Sequence, residues 1–259
     1  MATRTEDRLN AYLHFAMDLA VRAGDLIRHL RAHPLEVRRK ADSSPVTAID
    51  LAVNQLVIET VSRTFPTHGI LGEELAFGSG AESHIWVCDP VDGTKALILG
   101  IPGSVFMLAL VVDGVTALSV VYDPHGDTLY HAVSGGGAFR NHVAMEVSNA
   151  GLANGFVVLA TDAYPYVPSI LTNGGDVQPV PGNGYKCMLV ARGDAVGTLK
   201  KSPQFHDITP ASLIVREAGG MVTGFDGTAL PPLGPITGGV VISNRACHEA
   251  LCEIALAQP

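Results

Sequence analysis

The sequence predicts a mixed α/β (α+β) fold with a large buried interior, and three observations point to this class. Hydrophobic residues make up 47% of the 259 positions and charged residues 16%, a balance typical of a packed globular chain. Apolar residues recur at helical spacing in two N-terminal segments. Between residues 105 and 133, apolar runs alternate with glycine-containing turns, which indicates a meander of β-strands.

Two helices are predicted at the N-terminal end. From Asp7 to Leu30 the apolar side chains fall on one face of a helix, and Pro34 follows shortly after the pattern ends. A second amphipathic pattern runs from Thr47 to Phe65, and Pro66 ends it because proline cannot continue a helix.

Strands are predicted next. Short strands lie near His68–Leu71 and Ile85–Cys88, and the meander contains Val105–Val112, Val115–Tyr122 and Thr128–Val133. An Asp-Gly pair and a His-Gly pair supply the two turns of the meander, because such pairs favour tight turns between strands.

The pattern changes near residue 147, after which short strands and helices alternate. The predicted strands are Phe156–Ala160, Ala195–Leu199 and Val240–Ser243, and the predicted helices are Tyr185–Ala191, Asp207–Ala218 and Ala246–Ala255. We therefore predict two packed subdomains without a flexible linker, residues 1–146 and residues 147–259.

The charge of the chain limits its partners. The formal net charge is −8, and no basic stripe accompanies it, which argues against binding to a nucleic-acid polymer. An anionic small substrate remains compatible, because a bound metal ion can reverse the sign of the local field.

The cysteine pattern and the interrupted apolar segments indicate the cellular location of the protein. The four cysteines form no C-x-x-C pair and no zinc-finger spacing, so we expect neither a disulfide framework nor structural zinc. Charged residues interrupt the N-terminus, and Asp113-Gly114 interrupts the longest apolar region. We therefore expect no signal peptide, no membrane span and a location in the reducing cytoplasm.

The strongest chemical signal is the Asp-Pro-Val-Asp-Gly-Thr segment at residues 89–94. An apolar strand ends there, and Asp92 follows Asp89 three residues later. Hard divalent cations prefer carboxylate and carbonyl oxygens, and these two side chains with the Val91 carbonyl can supply three of them. The N–H groups of Gly93 and Thr94 open a helical turn and can face a phosphate. An ordinary Asp-Pro turn with Asp92 as a helix cap is the alternative.

Two further acidic turns support the metal-site interpretation. Glu73 and Glu74 follow the strand that ends at Leu71, and Asp207 stands directly before a long apolar helix. Taken singly, they fit a solvated turn and a helix cap. Because strand ends at one edge of a sheet commonly form binding sites, we predict that these carboxylates converge, with Asp50 as a fourth candidate.

Together these segments resemble the inositol monophosphatase superfamily over about residues 10 to 255. The matching segments are Lys40–Asp50, Gly72–Glu74, Asp89–Thr94, and Asp207 followed by Glu217-Ala218-Gly219-Gly220, in that order. The resemblance implies a layered αβαβα sandwich of the inositol monophosphatase and fructose-1,6-bisphosphatase type. The first subdomain would hold the metal and phosphate site, and the second would supply Asp207 and the substrate side.

The resemblance also implies an activity: Mg²⁺-dependent hydrolysis of a phosphate monoester on a small soluble metabolite, with two or three Mg²⁺ ions. By position, Glu73, Asp89 and the Val91 carbonyl would hold the first ion. Asp89, Asp92 and Asp207 would hold the second, and Glu73 would contribute to a third. Sensitivity to lithium and a homodimeric state are implied in the same way.

The remaining catalytic roles follow from the same resemblance. Gly93 and Thr94 would bind phosphate through backbone N–H groups, and Asp50 and Thr94 would orient and help deprotonate the attacking water. This is consistent with the reaction, because monoester hydrolysis needs an activated water and neutralised phosphate charge.

The substrate stays open at this point. Lys40–Ala48, Asp92–Lys95 and Gly184–Ala191 look like the 3′(2′),5′-bisphosphate nucleotidases. Leu71–Glu74 and Ile214–Gly220 look like histidinol-phosphate and inositol-phosphate phosphatases. A nucleotide, inositol, histidinol or sugar phosphate is therefore compatible with the sequence.

The chain departs from the family before Asp207. His206 stands where most members have tryptophan, and the preceding loop lacks the acidic residue that inositol enzymes tend to carry. We place five basic residues on the substrate side: Lys40, Lys186, Lys200, Lys201 and His206. The pair Lys200-Lys201 can meet a second anionic group, or can lie in a solvated loop.

The alternative function is a non-catalytic, phosphometabolite-binding or regulatory relative. It predicts the loss of at least one metal carboxylate, whereas all four are present.

Overall fold

The computed structural model describes residues 2–39 and 45–257, with side chains from Asp7 onward. Over these residues it has seven α-helices and fifteen strands in three sheets. They stack as helices, sheet, helices, sheet, helices, which confirms the layered αβαβα sandwich. None of the described helices is both long enough and apolar enough to cross a membrane.

Two long helices form the first layer, α1 (Ala2–Arg31) and α2 (Ala48–Thr64). A two-stranded hairpin of β1 (Val37–Arg39) and β2 (Pro45–Thr47) leads into α2. The apolar faces of both helices are buried against one face of the large sheet, as the helical spacing predicts.

The large sheet has eight strands in the order β10-β9-β8-β7-β6-β5-β3-β4. The strands are β3 (Gly69–Gly72), β4 (Ala76–Phe77), β5 (His84–Asp92), β6 (Val105–Val112), β7 (Val115–Asp123), β8 (Thr128–Val133), β9 (Ala138–Arg140) and β10 (Val143–Ala144). Among the described strands of this sheet, only β3 and β5 pair in parallel. The short helix α3 (Thr94–Leu99) follows β5 directly.

Residues of the large sheet alternate between two buried layers. Phe106 and Leu108 pack under the first helices, whereas Val105 and Met107 face the other side. Both faces of the central strands are therefore covered, which explains their continuous apolar sequences.

The smaller sheet and its helices complete the fold. The elements are β11 (Phe156–Leu159), α4 (Val167–Thr172), β12 (Asp176–Pro179), α5 (Asn183–Ala191), β13 (Gly197–Lys200), α6 (Phe205–Glu217), β14 (Met221–Gly224), β15 (Val240–Ser243) and α7 (His248–Leu256). The five strands lie in the order β12-β11-β13-β15-β14. Helices α5 and α6 are packed between the two sheets, and α4 and α7 cover the outer face.

Candidate active site

Three carboxylates from different elements meet at one point. Asp89 and Asp92 lie at the end of β5, and Asp207 lies in the first turn of α6. One carboxylate oxygen from each lies within 4.8 Å of the other two. Asp89 and Asp92 are only 1% and 5% exposed, and Asp207 is half-buried. Clustered carboxylate oxygens of this kind are a suitable ligand set for a hard divalent cation.

An irregularity in β5 brings Asp89 and Asp92 to the same place. Asp89 pairs with Met107 and Asp92 with Val105, so β5 has one residue more than β6 between these pairs. Residues three apart in a regular strand face opposite sides, and the additional residue cancels that difference. Proline has no N–H group to donate to the hydrogen-bond ladder of a regular strand. The bulge interrupts that ladder and so accommodates Pro90 within β5. The Asp89 carboxylate accepts from the Val91 N–H at 3.1 Å.

The start of α5 holds the Asp92 carboxylate. Its Oδ2 accepts from the Gly184 N–H at 2.7 Å, and the Asn183 N–H also contributes. These donors belong to the first turn of the helix, where N–H groups have no partner within the helix. Gly182 has a φ of 77°, and a Cβ there would lie 1.9 Å from the Gly103 carbonyl oxygen. Only glycine fits this turn without displacing its neighbours.

Asp207 is fixed by the beginning of its own helix. Its Oδ2 accepts from the backbone N–H of Gln204, the N-cap residue of α6, at 2.9 Å. Asp207 is therefore not the N-cap residue that the sequence suggested, because α6 begins two residues earlier, at Phe205. As the third residue of the helix it closes a capping box and also lies in the carboxylate cluster.

Electrostatic repulsion is the main property of this cluster. Burial raises the pKa of Asp89 well above its ordinary value, and the negative charges of Glu73, Asp92 and Asp207 raise it further. Burial, followed by the charge of Asp207, raises the pKa of Asp92 to about 6. A divalent cation would relieve this repulsion, so the donor set fits such an ion on physical grounds.

Glu73 lies beside the group of three carboxylates, at the end of the neighbouring strand β3. It follows β3 directly, and its N–H donates to the Cys88 carbonyl at 3.1 Å. The parallel register pairs Gly72 with Cys88, which places Glu73 beside the end of β5. Its half-buried side chain lines the same cavity as Asp89.

Asp50 and Thr94 form a second polar group beside the cluster. The Thr94 hydroxyl lies 3.2 Å from Asp50 Oδ1 and 3.3 Å from the Val91 carbonyl oxygen. The Thr47 N–H and hydroxyl both donate to Asp50 Oδ2, at 2.8 and 2.6 Å. Asp50 is 1% exposed, and burial raises its pKa despite these hydrogen bonds.

A cavity of about 510 Å³ opens onto the carboxylates. Its floor contains the cluster residues with Gly93 and Thr94, and its far wall comes from the smaller sheet. The wall residues include Leu159, Ala160, Thr161, Asp162, Tyr164, Pro179, Val180, Pro181, Gly182, Asn183 and Lys200. A cavity of this size accommodates a small metabolite.

The five predicted substrate-side residues are placed differently from one another. Lys200 lines the cavity, whereas Lys186 is buried behind its wall. Lys201 is exposed and His206 half-buried, and neither lines the cavity as far as the described residues define it. Lys40 lies outside the described residues. Their contact with substrate stays a prediction.

Sequence reasoning assigned no role to three residues of the site: Asp162, Gly182 and Asn183. Asp162 on the cavity wall forms an ion pair with Lys200, with 3.4 Å between Nζ and Oδ2. Gly182 and Asn183 shape the turn that holds Asp92. The Gly-Asn-Gly run at the start of α5 is the signal that could have identified this turn.

Comparisons with known proteins agree with this geometry. A model of the inositol monophosphatase family matches residues 8–258. The "Nus factor SuhB" of Pasteurella multocida is 34% identical over 232 residues, covering 85% of this chain and 87% of that protein. The "Histidinol-phosphatase" of Mycobacterium tuberculosis is 32% identical over 252 residues, covering 92% and 95%.

Several similar solved structures contain ligands. One of them is an IMPase/NADP phosphatase complexed with Mg²⁺ and phosphate, 25% identical, with a TM-score of 0.82. The alignment covers 97% of this chain and 95% of that one.

Proposed function

Because the chain belongs to the inositol monophosphatase family, we propose that it hydrolyses a phosphate monoester on a small metabolite with the aid of Mg²⁺. The convergence of Asp89, Asp92 and Asp207 carries this proposal, since it places the oxygen ligands of a hard cation at the floor of a metabolite-sized cavity. A similar structure complexed with Mg²⁺ and phosphate supports the choice of ion.

The metal ligands proposed are Glu73, Asp89, the Val91 carbonyl, Asp92 and Asp207, for two or three ions. When bound, Mg²⁺ supplies charge neutralisation for the phosphate and increases the acidity of a water molecule. Without the cation, the same carboxylates would repel a phosphate dianion. Activity is therefore strictly dependent on a divalent metal in this proposal.

Asp50 and Thr94 are assigned to the attacking water. The Thr94 hydroxyl can donate its proton to Asp50 Oδ1, and its lone pairs then accept a proton from water. Thr47 holds the other Asp50 oxygen, so the carboxylate is fixed in one orientation. The pair thus orients the water and provides an acceptor for its proton.

The phosphate is assigned to the start of α3. Gly93 is the N-cap residue and Thr94 the first residue of that helix, so their N–H groups lack partners from within it. Both residues line the cavity floor beside the carboxylate cluster. They would bind the phosphate oxygens by hydrogen bonds, as N–H groups at a helix start commonly do.

The test is release of inorganic phosphate from p-nitrophenyl phosphate with Mg²⁺ and with a chelator. We expect turnover with Mg²⁺ and none with the chelator. Inactivity in both conditions, with titration calorimetry showing that Mg²⁺ binds, would contradict the proposal.

The alternative is a regulatory relative that binds a phosphometabolite without hydrolysing it. The name of the Pasteurella multocida relative, a Nus factor, is the observation that favours it. All four acidic ligands are retained in this chain, which favours catalysis. Binding of a phosphorylated metabolite without phosphate release would establish the alternative.

Three properties stay predictions: inhibition by lithium and a homodimeric state, which the resemblance implies, and a location in the cytoplasm, which the cysteine pattern suggests. The identity of the substrate is open. Phosphate release should be screened across nucleoside monophosphates, bisphosphates, and inositol, histidinol and sugar phosphates.

A further inference from the structure

An ion pair lies on the cavity wall, outside the carboxylate cluster. Lys200 ends β13, and its ammonium nitrogen lies 3.4 Å from Asp162 Oδ2. The two side chains are 22% and 34% exposed, and both line the cavity. Because this ion pair is accessible from the cavity, Lys200 can exchange Asp162 for an anionic ligand. The negative charge of the ligand then replaces that of Asp162.

A second lysine lies behind this pair. Lys186 on α5 is 1% exposed, and its ammonium nitrogen has no hydrogen-bond partner among residues 2–39 and 45–257. Burial lowers its pKa, and the opposing negative charges are first Asp162 and then Asp92. A buried amine without hydrogen bonds is costly, so an additional acceptor nearby would stabilise it.

The charges on this wall do not balance. Two lysines face one carboxylate, Asp162, because Asp92 is committed to the cluster at the cavity floor. Thr198 shares a face of β13 with Lys200, and its hydroxyl lacks a hydrogen-bond partner within the described part of the chain. The wall therefore carries surplus positive charge, whereas Thr198 is buried and does not line the cavity.

We propose that Asp162, Lys186 and Lys200, here named the lysine wall, select phosphate esters whose leaving group carries a second anionic group. This inference rests on the proposed phosphatase function and specifies its substrate class. Lys200 binds the additional carboxylate or phosphate of the leaving group directly and releases Asp162. The buried Lys186 adds positive charge next to this pair.

Other leaving groups fit the lysine wall less well. A neutral polyol leaves the Lys200–Asp162 pair in place and gains no charge-assisted hydrogen bond. A cationic leaving group, such as the amine of histidinol, is repelled by the two lysines. The wall thus distinguishes three substrate classes by charge alone.

The test uses two pairs of esters that differ chiefly by one anionic group. Glycerol 2-phosphate is compared with 2-phosphoglycerate, and fructose 1-phosphate with fructose 1,6-bisphosphate, all with Mg²⁺. The wild-type protein should prefer the more anionic member of at least one pair, and the pair that it prefers distinguishes a carboxylate from a phosphate.

The deciding variant is Lys200→Gln. It should lower kcat/KM for the preferred anionic ester by about tenfold or more, mainly through KM, since a charge-assisted hydrogen bond is lost. Activity on the neutral ester should change less than about twofold, which also shows that the variant folds. Arg63→Gln is the control, because this basic side chain is exposed on α2 and lies outside the cavity lining; it should change neither.

A second variant, Asp162→Asn, tests the exchange of partners. Removing the competing carboxylate should lower KM for the anionic ester and leave the neutral ester unchanged. The inference is overturned if Lys200→Gln affects both members of a pair equally or affects neither. If the wild-type protein hydrolyses no ester at all, the proposed function itself fails, and the two failures are thereby distinguished.

Discussion

The Thr94 hydroxyl and the Asp50 carboxylate lie 3.2 Å apart although they belong to two helices and are separated by 44 positions in the sequence. Asp50 stands in the first turn of α2, where Thr47 caps the helix and donates two hydrogen bonds to Asp50 Oδ2. One carboxylate therefore serves both the start of a helix and the candidate active site.

This contact predicts that Thr94→Ala lowers kcat by about 10²- to 10³-fold, because the hydroxyl that orients the water is lost. KM should change less than about threefold, since the backbone N–H groups remain. Steady-state kinetics on the best ester measures both. Thr94→Ser keeps a hydroxyl and should retain most of the activity. A large rise in KM with unchanged kcat would assign Thr94 to binding instead.

Asp92→Asn should abolish turnover, with kcat at least about 10³-fold lower, because a charged metal ligand is lost. The same change removes repulsion from Asp207, so the metal-free protein should melt at a higher temperature than wild type. Calorimetry in a chelator measures this shift. Asp18→Asn on the surface of α1 is the control and should change neither property. Full activity of Asp92→Asn would refute its role as a ligand.

The stabilisation by Mg²⁺ should increase with pH. The folded-state pKa of Asp92, raised to about 6, exceeds the ordinary value of 3.8, so the folded metal-free protein holds more protons than the unfolded chain between these values. The stabilisation that the bound proton on Asp92 gives to the folded metal-free protein is fully present below pH 3.8 and is lost as pH rises through about 6. Mg²⁺ replaces the proton, so the melting-temperature gain on adding Mg²⁺ should be larger at pH 7 than at pH 5. A gain independent of pH would contradict this linkage.

His68 should act in the opposite direction. Burial, followed by the nearby charges of His84 and Arg8, lowers its pKa from 6.5 to about 4, and Trp86 Nε1 donates to its Nδ1 at 3.1 Å. This stabilisation is present above pH 6.5 and is lost as pH falls toward 4, because the unfolded chain takes up the proton first.

The corresponding measurement is urea unfolding of wild type and His68→Gln from pH 7 to pH 4.5. The variant should show a shallower loss of stability over this range, whereas His14→Gln on the exposed side of α1 should follow wild type. Identical pH profiles for His68→Gln and wild type would show that His68 does not cause the loss of stability at low pH.

Gly182→Ala should reduce both stability and activity. Its Cβ would collide with the Gly103 carbonyl oxygen and lie 3.1 Å from Asp92 Oδ2, so the turn holding Asp92 must move. Gly227 has a similar φ of 79° with no atom within 4 Å of an added Cβ. Gly227→Ala therefore isolates the cost of the backbone conformation, roughly 1–2 kcal/mol, and should leave activity intact. Equal effects of the two substitutions would mean that the close approach at Gly182 is unimportant.

The sequence predicted the elements whose pattern is local. Val105–Val112, Thr128–Val133 and Val240–Ser243 have the predicted bounds, because apolar runs between strong turn residues define both ends. The predicted strand at Ile85–Cys88 is too short, since β5 continues to Asp92. The proline indicated a turn, and only the pairing with β6 shows that a bulge accommodates it.

The convergence of Asp89, Asp92 and Asp207 was predicted, whereas other features that depend on distant contacts were not. The strands β12 and β14 and helix α4 carry no strong pattern of their own and depend on their neighbours in the smaller sheet. The partner of Lys200, Asp162, lies 38 positions away, and nothing in the local sequence links the two. The division into subdomains near residue 147 stays a prediction.

Helix α6 extends from the carboxylate cluster to a turn of the large sheet. Its first turn carries Asp207 into the carboxylate cluster, and Glu217 in its last turn accepts from the N–H groups of Gly135 and Gly137, at 2.8 and 2.9 Å. The helix therefore connects the end of β5 with the turn after β8. If the chain were cleaved between the two sheets, Asp89 and Asp92 would lie on one fragment and Asp207 on the other. Recovery of Mg²⁺ binding on mixing the fragments would therefore show that the two pieces had reassembled.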